Sequence, residues 1–381
     1  MTDPASTRGR RHVPELDGVR GLAIVLVMAL HFVTDQILPL STLERIAVKA
    51  SNYGLWGVDL FFVLSGFLIT GILADDRGRP GYFKNFFARR CLRIFPLYYG
   101  VLLILTVLVP AWALAALDPE LLDIREQSGW LWLYLTNIYL APQSTFFALP
   151  YLSHFWSLAV EEHFYLVWPV VIWGLSTQSA RRACVGLALG AFALRVYYTA
   201  TAPHQLYAQV LTQCRVDALL AGAWFALASR DGAGQTRART QQLLALGAGT
   251  VVVLTLFHAV SHRGEAVVLP LRTSALAVFF GALIYITVHH DGWTLLKTGL
   301  RLAWLRDLGR YSYGLYVFHG IVAYAMHRHG AAVYVGGLTP VSVVNSLIVV
   351  AFGVGLSYAL ARASYHGFEQ PFLLLKGRFG R

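Results

Sequence analysis

The sequence predicts an all-α integral membrane protein, a polytopic bundle of about ten transmembrane helices. Of its 381 residues 56% are hydrophobic and 13% are charged, and the mean hydropathy is +0.55. This composition is too apolar for a water-soluble domain of that length. Apolar runs long enough to cross a bilayer recur along the chain, and short clusters of basic residues separate them. Such clusters are typical of loops that stay on the cytoplasmic side.

Hydropathy predicts spans near 20–38, 55–74, 96–117, 155–175, 183–200, 210–229, 241–260, 267–289, 311–328 and 340–362. The segment 130–141 is also apolar, but about a dozen residues are short for a span. We therefore expect it to be a re-entrant or interfacial segment.

The distribution of basic residues supports this number of crossings. If both termini lie inside, the outer loops keep only Arg45, Lys49, Arg125, Arg263 and Arg328, and the inner loops collect most of the others. A further crossing at 130–141 would reverse every later loop and remove the asymmetry. We expect a cytoplasmic tail at 1–14, one membrane domain at 15–372 and a second cytoplasmic tail at 373–381.

The same composition excludes other classes. The net charge is +11, yet no basic stripe or tail is present, so we expect no nucleic-acid partner. Cys91, Cys184 and Cys214 lack the spacing of metal ligands, so we expect neither a metal site nor a disulfide framework. The segment 1–14 is polar and arginine-rich, and we expect no cleavable signal there.

The first span carries an arginine at its mouth and a lone histidine three turns later. Arg20 and His31 are separated by eleven positions, or about 1100° of helix, so they share one face roughly 16 Å apart. Ionisable groups inside spans are functional candidates because they are costly in hydrocarbon. The alternative is a histidine that satisfies an inter-helix hydrogen bond.

Carboxylates occur in two further spans. Asp59 lies near the outer end of the second span, where a helix N-terminus alone would favour it. Glu161 and Glu162 are adjacent in an aromatic helix and point about 100° apart. Glu161 shares its face with Tyr165, and the alternative for Glu161 is a structural ion pair with an arginine of a neighbouring helix.

Two other spans carry polar groups at defined spacings. Arg215 and Asp217 lie on opposite faces, so we expect them to have different, mainly structural partners. Ser312, Tyr316 and His319 share one face of an aromatic helix, where the alternative to catalysis is a satisfied interior histidine.

The segment 82–99 interleaves basic and aromatic residues, with Pro96 expected to open the third span. Lys84, Arg89, Arg90 and Arg93 are its basic residues. Guanidinium groups three positions apart can grip phosphates bidentately. The alternative is an interfacial helix held by anionic lipid.

Taken together, these segments resemble the membrane-bound acyltransferase 3 family, the O-acyltransferases of bacterial surface polysaccharides. The resemblance is carried in order by Arg20 and His31, VDLFFVLSGFLI (58–69), FFARRCLRIFPLYY (86–99), WSLAVEEHFYLVWP (156–169), CRVDALLAGA (214–223), YSYGLYVFH (311–319) and FEQPF (368–372). One departure is His163, where the family more often has glutamine.

The resemblance implies a multi-pass protein of the bacterial cytoplasmic membrane that transfers a short acyl group, commonly acetyl. The donor would be acyl-CoA and the acceptor a hydroxyl of a glycan or small molecule. His31 would act as general base or carry the acyl group, with Glu161 orienting it. Arg20 would lie at the inner end of the first span, where the donor enters, and the basic residues of 84–93 would hold the CoA phosphates. Many members carry a further hydrolase-like domain, which we do not expect in this sequence. We therefore expect the membrane domain or a partner to select the acceptor.

A transporter or flippase is the competing function, because intramembrane carboxylates and histidines can form a proton relay. No pair of symmetric broken helices is visible in the sequence, and transport does not explain the basic and aromatic residues at 84–93. The sequence therefore favours the acyltransferase.

Overall fold

The computed structural model describes residues 12–109, 120–230, 236–261, 265–336 and 338–379. In these ranges all regular structure is helical, so the predicted all-α class is confirmed. The helices are α1 (Pro14–Ala29), α2 (Thr42–Ser51), α3 (Trp56–Asp76), α4 (Tyr82–Leu103), α5 (Glu120–Glu126), α6 (Ser128–Trp132), α7 (Thr136–Leu140), α8 (Trp156–Gly174), α9 (Thr177–Thr201), α10 (Leu206–Val210), α11 (Thr212–Ala228), α12 (Arg237–Ser261), α13 (Glu265–His289), α14 (Thr294–Leu300), α15 (Ala303–Arg310), α16 (Ser312–Arg328), α17 (Ala331–Gly336), α18 (Ser342–Ser364) and α19 (Gln370–Leu375).

Several helices are extended by turns of different pitch. α1, α4 and α18 continue into π-helical turns at Leu30–Thr34, Ile104–Leu108 and Tyr365–Glu369. Short 3-10 turns, Asn52–Leu55 and Ser153–Phe155, lead directly into α3 and α8. A π turn often marks a functional position, because its extra residue shifts the side chains of one helix face.

Among the described residues, eight helical segments are long and apolar enough to cross a membrane. They contain α1, α3, α4, α9, α11, α12, α13 and α18, which match eight of the predicted spans. The remaining two predictions, 155–175 and 311–328, coincide with α8 and α16, which have 19 and 17 residues. Both are helical as expected, although α8 carries two glutamates and α16 is short for a bilayer.

We call the two ends of the bundle the arginine end, where Arg20 lies, and the histidine end, where His31 lies. α8 joins these ends: Trp156 lines a cavity together with His31, and the carbonyl of Pro169 accepts a 3.0 Å hydrogen bond from Tyr82 at the start of α4. α8 therefore runs antiparallel to α4 through the bundle.

α16 joins the same two ends. Tyr313 lines a cavity with Arg20, and His327 donates through Nδ1 to the carbonyl of Asp35 at 3.3 Å. α8 and α16 therefore run from the arginine end to the histidine end, as the eight apolar segments do. The first described residues and the last turn of α18 lie at the arginine end, as the predicted topology requires.

The third span differs from its prediction. Pro96 was expected to open it, but α4 begins at Tyr82 and contains Pro96. The basic and aromatic run is therefore the first half of the same helix, because a helix in a packed bundle tolerates the missing N–H of proline. The end of the predicted span, 110–117, lies outside the described residues.

The segment 130–141 was expected not to cross. It forms two helices of five residues each, α6 and α7, separated by a turn. Five helical residues extend about 7.5 Å, far less than a bilayer core. Its position relative to the membrane surface remains a prediction.

Small residues let the central helices approach closely. A Cβ atom on Gly66 of α3 would overlap the carbonyl of Leu219, and one on Gly222 of α11 would overlap the carbonyl of Val63. The two backbones are therefore in contact, which is a common way of packing helices in membranes. This contact fixes α11 beside α3 and so determines which buried charges meet.

We predict that the arginine end faces the cytoplasm. In a variant with Cys91, Cys184 and Cys214 replaced by alanine, Arg182→Cys should react with an impermeant maleimide only from the cytoplasmic side. Arg125→Cys should react only from outside, because the positive-inside bias places the two loops on opposite sides. Labelling of both cysteines from the same side would contradict the predicted topology.

Candidate active site

Three cavities follow one another along α1. The first, the basic cavity, has a volume of about 640 Å³ and lies at the arginine end. Its charged lining residues are Asp17, Arg20, Arg93, Arg306, Asp307, Arg310, Glu369 and Lys376. Five are cations and three are anions, so the cavity carries a positive excess that suits a phosphate-bearing ligand.

Arg20 is oriented by its own helix. Its Nη1 donates to the carboxylate of Asp17 at 2.8 Å, one helical turn earlier. A Cβ on Gly21 would overlap the carbonyl of Leu305 in α15, so α1 and α15 pack backbone to backbone beside the arginine. The loop helix α15 thereby brings its own arginines to the cavity that Arg20 lines.

The second cavity, the carboxylate cavity, has a volume of about 270 Å³ and shares Arg20, Arg93 and Tyr313 with the basic cavity. Glu161 and Glu162 line its wall, together with Ser312. The shared side chains make the two cavities neighbours along one line through the bundle.

Glu161 faces hydroxyls and arginines in this cavity. Ser65, Tyr165, Arg90 and Arg93 line the same cavity and act electrostatically on its carboxyl group. The hydroxyls of Ser65 and Tyr165 are hydrogen-bonded to each other, and the guanidinium of Arg90 lies 5.8 Å from the ring centre of Tyr165. Glu161 is therefore part of a polar group built around the arginines of α4.

The third cavity, the histidine cavity, has a volume of about 500 Å³ and shares Val58 and Tyr316 with the carboxylate cavity. His31 lies in the π turn that ends α1, and its Nδ1 is 2.8 Å from Oδ2 of Asp35. An ionised carboxylate can only accept, so Nδ1 is the donor in this contact, and in the neutral imidazole Nε2 keeps its lone pair. The His31 side chain is 28% exposed and lines this cavity.

Two more histidines lie beside His31. The ring centres of His31 and His319 are 5.1 Å apart, and those of His319 and His154 are also 5.1 Å apart. His319 donates through Nδ1 to the carbonyl of Leu315 at 3.1 Å, which leaves its buried Nε2 without a partner among the described residues. His154 precedes α8, and burial lowers its pKa to about 3, so it stays neutral.

The predicted partner of His31 was wrong. We expected Glu161 to orient the imidazole, but Asp35 occupies that position, four residues after His31. Glu161 faces the arginines because α8 presents it to α4 and to α3 rather than to the end of α1. The i, i+4 spacing of His31 and Asp35 is visible in the sequence, but Asp35 follows the apolar run, so hydropathy alone does not single it out.

The basic residues of α4 divide into two groups. Arg90 and Arg93 line the carboxylate cavity, as a role in donor binding requires. Lys84 is exposed, and neither Lys84 nor Arg89 lines any of the three cavities. The sequence did not distinguish these pairs, and it missed Arg306, Arg310 and Lys376, which tertiary packing brings from distant helices.

Arg215 and Asp217 have different partners, as their spacing predicted. Arg215 donates to Asp59 at 2.6 Å, and Asp217 forms a two-pronged ion pair with Arg195, with distances of 2.6 and 3.0 Å. Ser274 donates to the same carboxylate of Asp217. These buried pairs serve a structural role between α3, α9, α11 and α13.

The fold and the cavities define a class: a polytopic helical membrane protein with a basic cavity at one end and a histidine hydrogen-bonded to an aspartate at the other. Residues 13–362 match the family described as "Acyltransferase domain". Because this match covers most of the chain, the protein belongs to that family of membrane acyltransferases.

The curated relatives carry concordant names. The chain is 28% identical to "Peptidoglycan O-acetyltransferase OatA" of Listeria monocytogenes over 81% of its own length and 49% of the relative. It is 25% identical to "O-acetyltransferase OatA" of Staphylococcus aureus, with 95% and 57% covered. It is 28% identical to "Putative peptidoglycan O-acetyltransferase YrhL" of Bacillus subtilis, with 96% and 55% covered. The chain thus spans about half the length of these relatives. No solved structure matches it.

We predict that the buried ion pair of Asp217 is needed for stability. Asp217→Asn should lower the free energy of unfolding by about 3–5 kcal/mol, because it leaves Arg195 buried and uncompensated. Thermal unfolding in detergent micelles measures this change. Arg79→Gln, which removes the exposed partner of the ion pair with Asp76, should cost no more than about 1 kcal/mol. Equal losses for the two variants would contradict the prediction.

Proposed function

We propose that the protein transfers a short acyl group, commonly acetyl, from acyl-CoA to a hydroxyl of peptidoglycan or a related glycan. The observation that carries this proposal is the series of three cavities from Arg20 to His31. The names of the relatives support the acetyl group and the glycan acceptor. Membership in the acyltransferase family favours this enzyme over a proton-coupled transporter.

The donor would enter at the arginine end, which we assign to the cytoplasmic face of the bacterial inner membrane. Its phosphates would bind the cations of the basic cavity, Arg20, Arg93 and Arg310 among them. The pantetheine arm would pass through the carboxylate cavity toward Tyr316. Arg20 and His31 are roughly 16 Å apart along α1, so the arm would be extended.

His31 would act on the acceptor hydroxyl. Its Nε2 accepts the proton of the hydroxyl while the oxygen attacks the thioester carbon. The carbon–sulfur bond then breaks, and the imidazolium returns the proton to the departing thiolate. Asp35 holds the imidazole in the required tautomer and stabilises the positive charge that forms on it. The glycan would approach from the histidine end, so donor and acceptor would use opposite faces of the membrane.

We predict that His31→Ala reduces transfer at least about 100-fold, because a positioned general base typically contributes about 10²–10⁴-fold. Asp35→Asn should reduce transfer at least about tenfold, because the imidazole of His31 is then no longer held in the required tautomer. Transfer of radiolabel from acetyl-CoA to glycan, in proteoliposomes containing the purified protein, measures both effects.

His329→Ala is the control, since this histidine is exposed at the same end and does not line the cavity. A folded His31→Ala protein with near-normal transfer would refute the assignment. Donor-derived label that stays on the wild-type protein after a rapid quench in denaturant at neutral pH, and is absent from His31→Ala, would instead show that the acyl group passes through a covalent intermediate.

The donor site gives a second prediction. Arg93→Ala and Arg310→Ala should each raise the KM for acetyl-CoA about ten- to a hundredfold, since each loses a charge-assisted bond to phosphate. The KM for the acceptor should stay constant. Lys84→Ala, on the same helix as Arg93 but outside the cavities, should change neither value. An unchanged KM for acetyl-CoA in both arginine variants would contradict the donor site. It would favour the alternative in which the segment 82–99 binds anionic lipid.

A further inference from the structure

A fourth cavity of about 690 Å³ opens at the histidine end, and we call it the side cavity. It shares part of its wall with the histidine cavity, namely Leu55, Phe146, Trp156, Gln205 and Gln209. A molecule bound in the side cavity would therefore lie next to the cavity that contains His31. The volume lies in the range of about 300–1,000 Å³ that is typical of small-molecule sites.

The lining of the side cavity combines aromatic rings with amides. Tyr53, on the turn that leads into α3, and Trp56, the first residue of α3, have ring centres 4.8 Å apart, and Trp156 lines the same cavity. Gln205 and Gln209 add amide groups that can donate and accept. A sugar ring needs both surfaces, because its C–H faces pack on aromatic rings and its hydroxyls require hydrogen-bond partners.

Two positive charges in the side cavity are uncompensated. The deepest charged groups cancel, since Arg215 pairs with Asp59 and Arg195 pairs with Asp217. Lys49 at the rim and Arg272 in the wall also line the cavity.

Neither Lys49 nor Arg272 forms a hydrogen bond or an ion pair with a described residue. Arg272 is half-buried, and a guanidinium in such a position is suited to bidentate binding of a carboxylate or phosphate.

We propose that the side cavity binds an acidic glycan acceptor, with its anionic group on Arg272 and Lys49 and its sugar ring on the aromatic wall. This inference rests on the proposed function, because it specifies the acceptor of the same site. The anion fixes the glycan, and the shared wall directs a hydroxyl toward Nε2 of His31. Arg272 is the main determinant of acceptor choice, since Lys49 is exposed and screened by solvent.

The test compares two ligands that differ by one charge. They are the disaccharide N-acetylglucosaminyl-N-acetylmuramic acid, whose lactyl carboxyl is free, and its methyl ester. Binding of each to the purified protein in detergent is measured by calorimetry in the absence of donor. The wild-type protein should bind the acid more tightly than the ester.

Arg272→Gln should weaken binding of the acid about ten- to a hundredfold and leave binding of the ester nearly unchanged. Arg272→Lys should restore part of the preference, which a merely structural role would not do. Lys49→Gln should have a smaller effect. Arg45→Gln is the matched control, because Arg45 is exposed one turn earlier on α2 and does not line the cavity.

Equal weakening of both ligands, or no change in either, would overturn the proposal. Failure of the wild-type protein to bind the acid would also overturn it. So would the finding that Arg272→Gln loses a co-purified anionic phospholipid while its binding of the glycan is unchanged. The result separates this inference from the catalytic one. Charge-selective binding without acyl transfer would refute the proposed function alone, and transfer to glycans without charge preference would refute this inference alone.

Discussion

The position of α1 is the constraint on which the rest of the site depends. On one side, a Cβ on Gly18 would overlap the carbonyl of Leu300, so α1 lies directly against α14. On the other side, a Cβ on Gly57 would overlap the carbonyl of Ala23, so the start of α3 lies directly against α1. Backbones can approach this closely only where side chains are absent. The helix is thus clamped, and the basic and histidine cavities keep a fixed separation.

The charges of the bundle are arranged in two ways. The most deeply buried charges are paired, as in Asp217 with Arg195, because an isolated buried charge is too costly. Around the cavities cations outnumber anions, at the arginine end as well as in the side cavity. The paired charges hold the helices in register, and the unpaired ones are available to anionic ligands at both faces of the bundle.

The site shows where sequence reasoning reached its limit. The helical period correctly gave Arg215 and Asp217 different partners. The prediction that Glu161 orients His31 was wrong, because the helical period tells which face carries a residue but not which helix packs against that face. Asp35, the partner of His31, is close to it in sequence. The helical period of the apolar run does not identify this partner, because Asp35 follows the π turn that ends α1.

The sequence by itself determined the all-α membrane class, the helix positions and the family, because hydropathy, helical period and motif order are local properties of a chain. Only the tertiary structure decided how the cavities are assembled. Arg306, Arg310 and Lys376 join Arg93, and Arg272 faces the side cavity, through contacts between helices far apart in sequence. Such contacts depend on which helix faces meet and how closely their glycines let them approach, and neither follows from the pattern of a single segment.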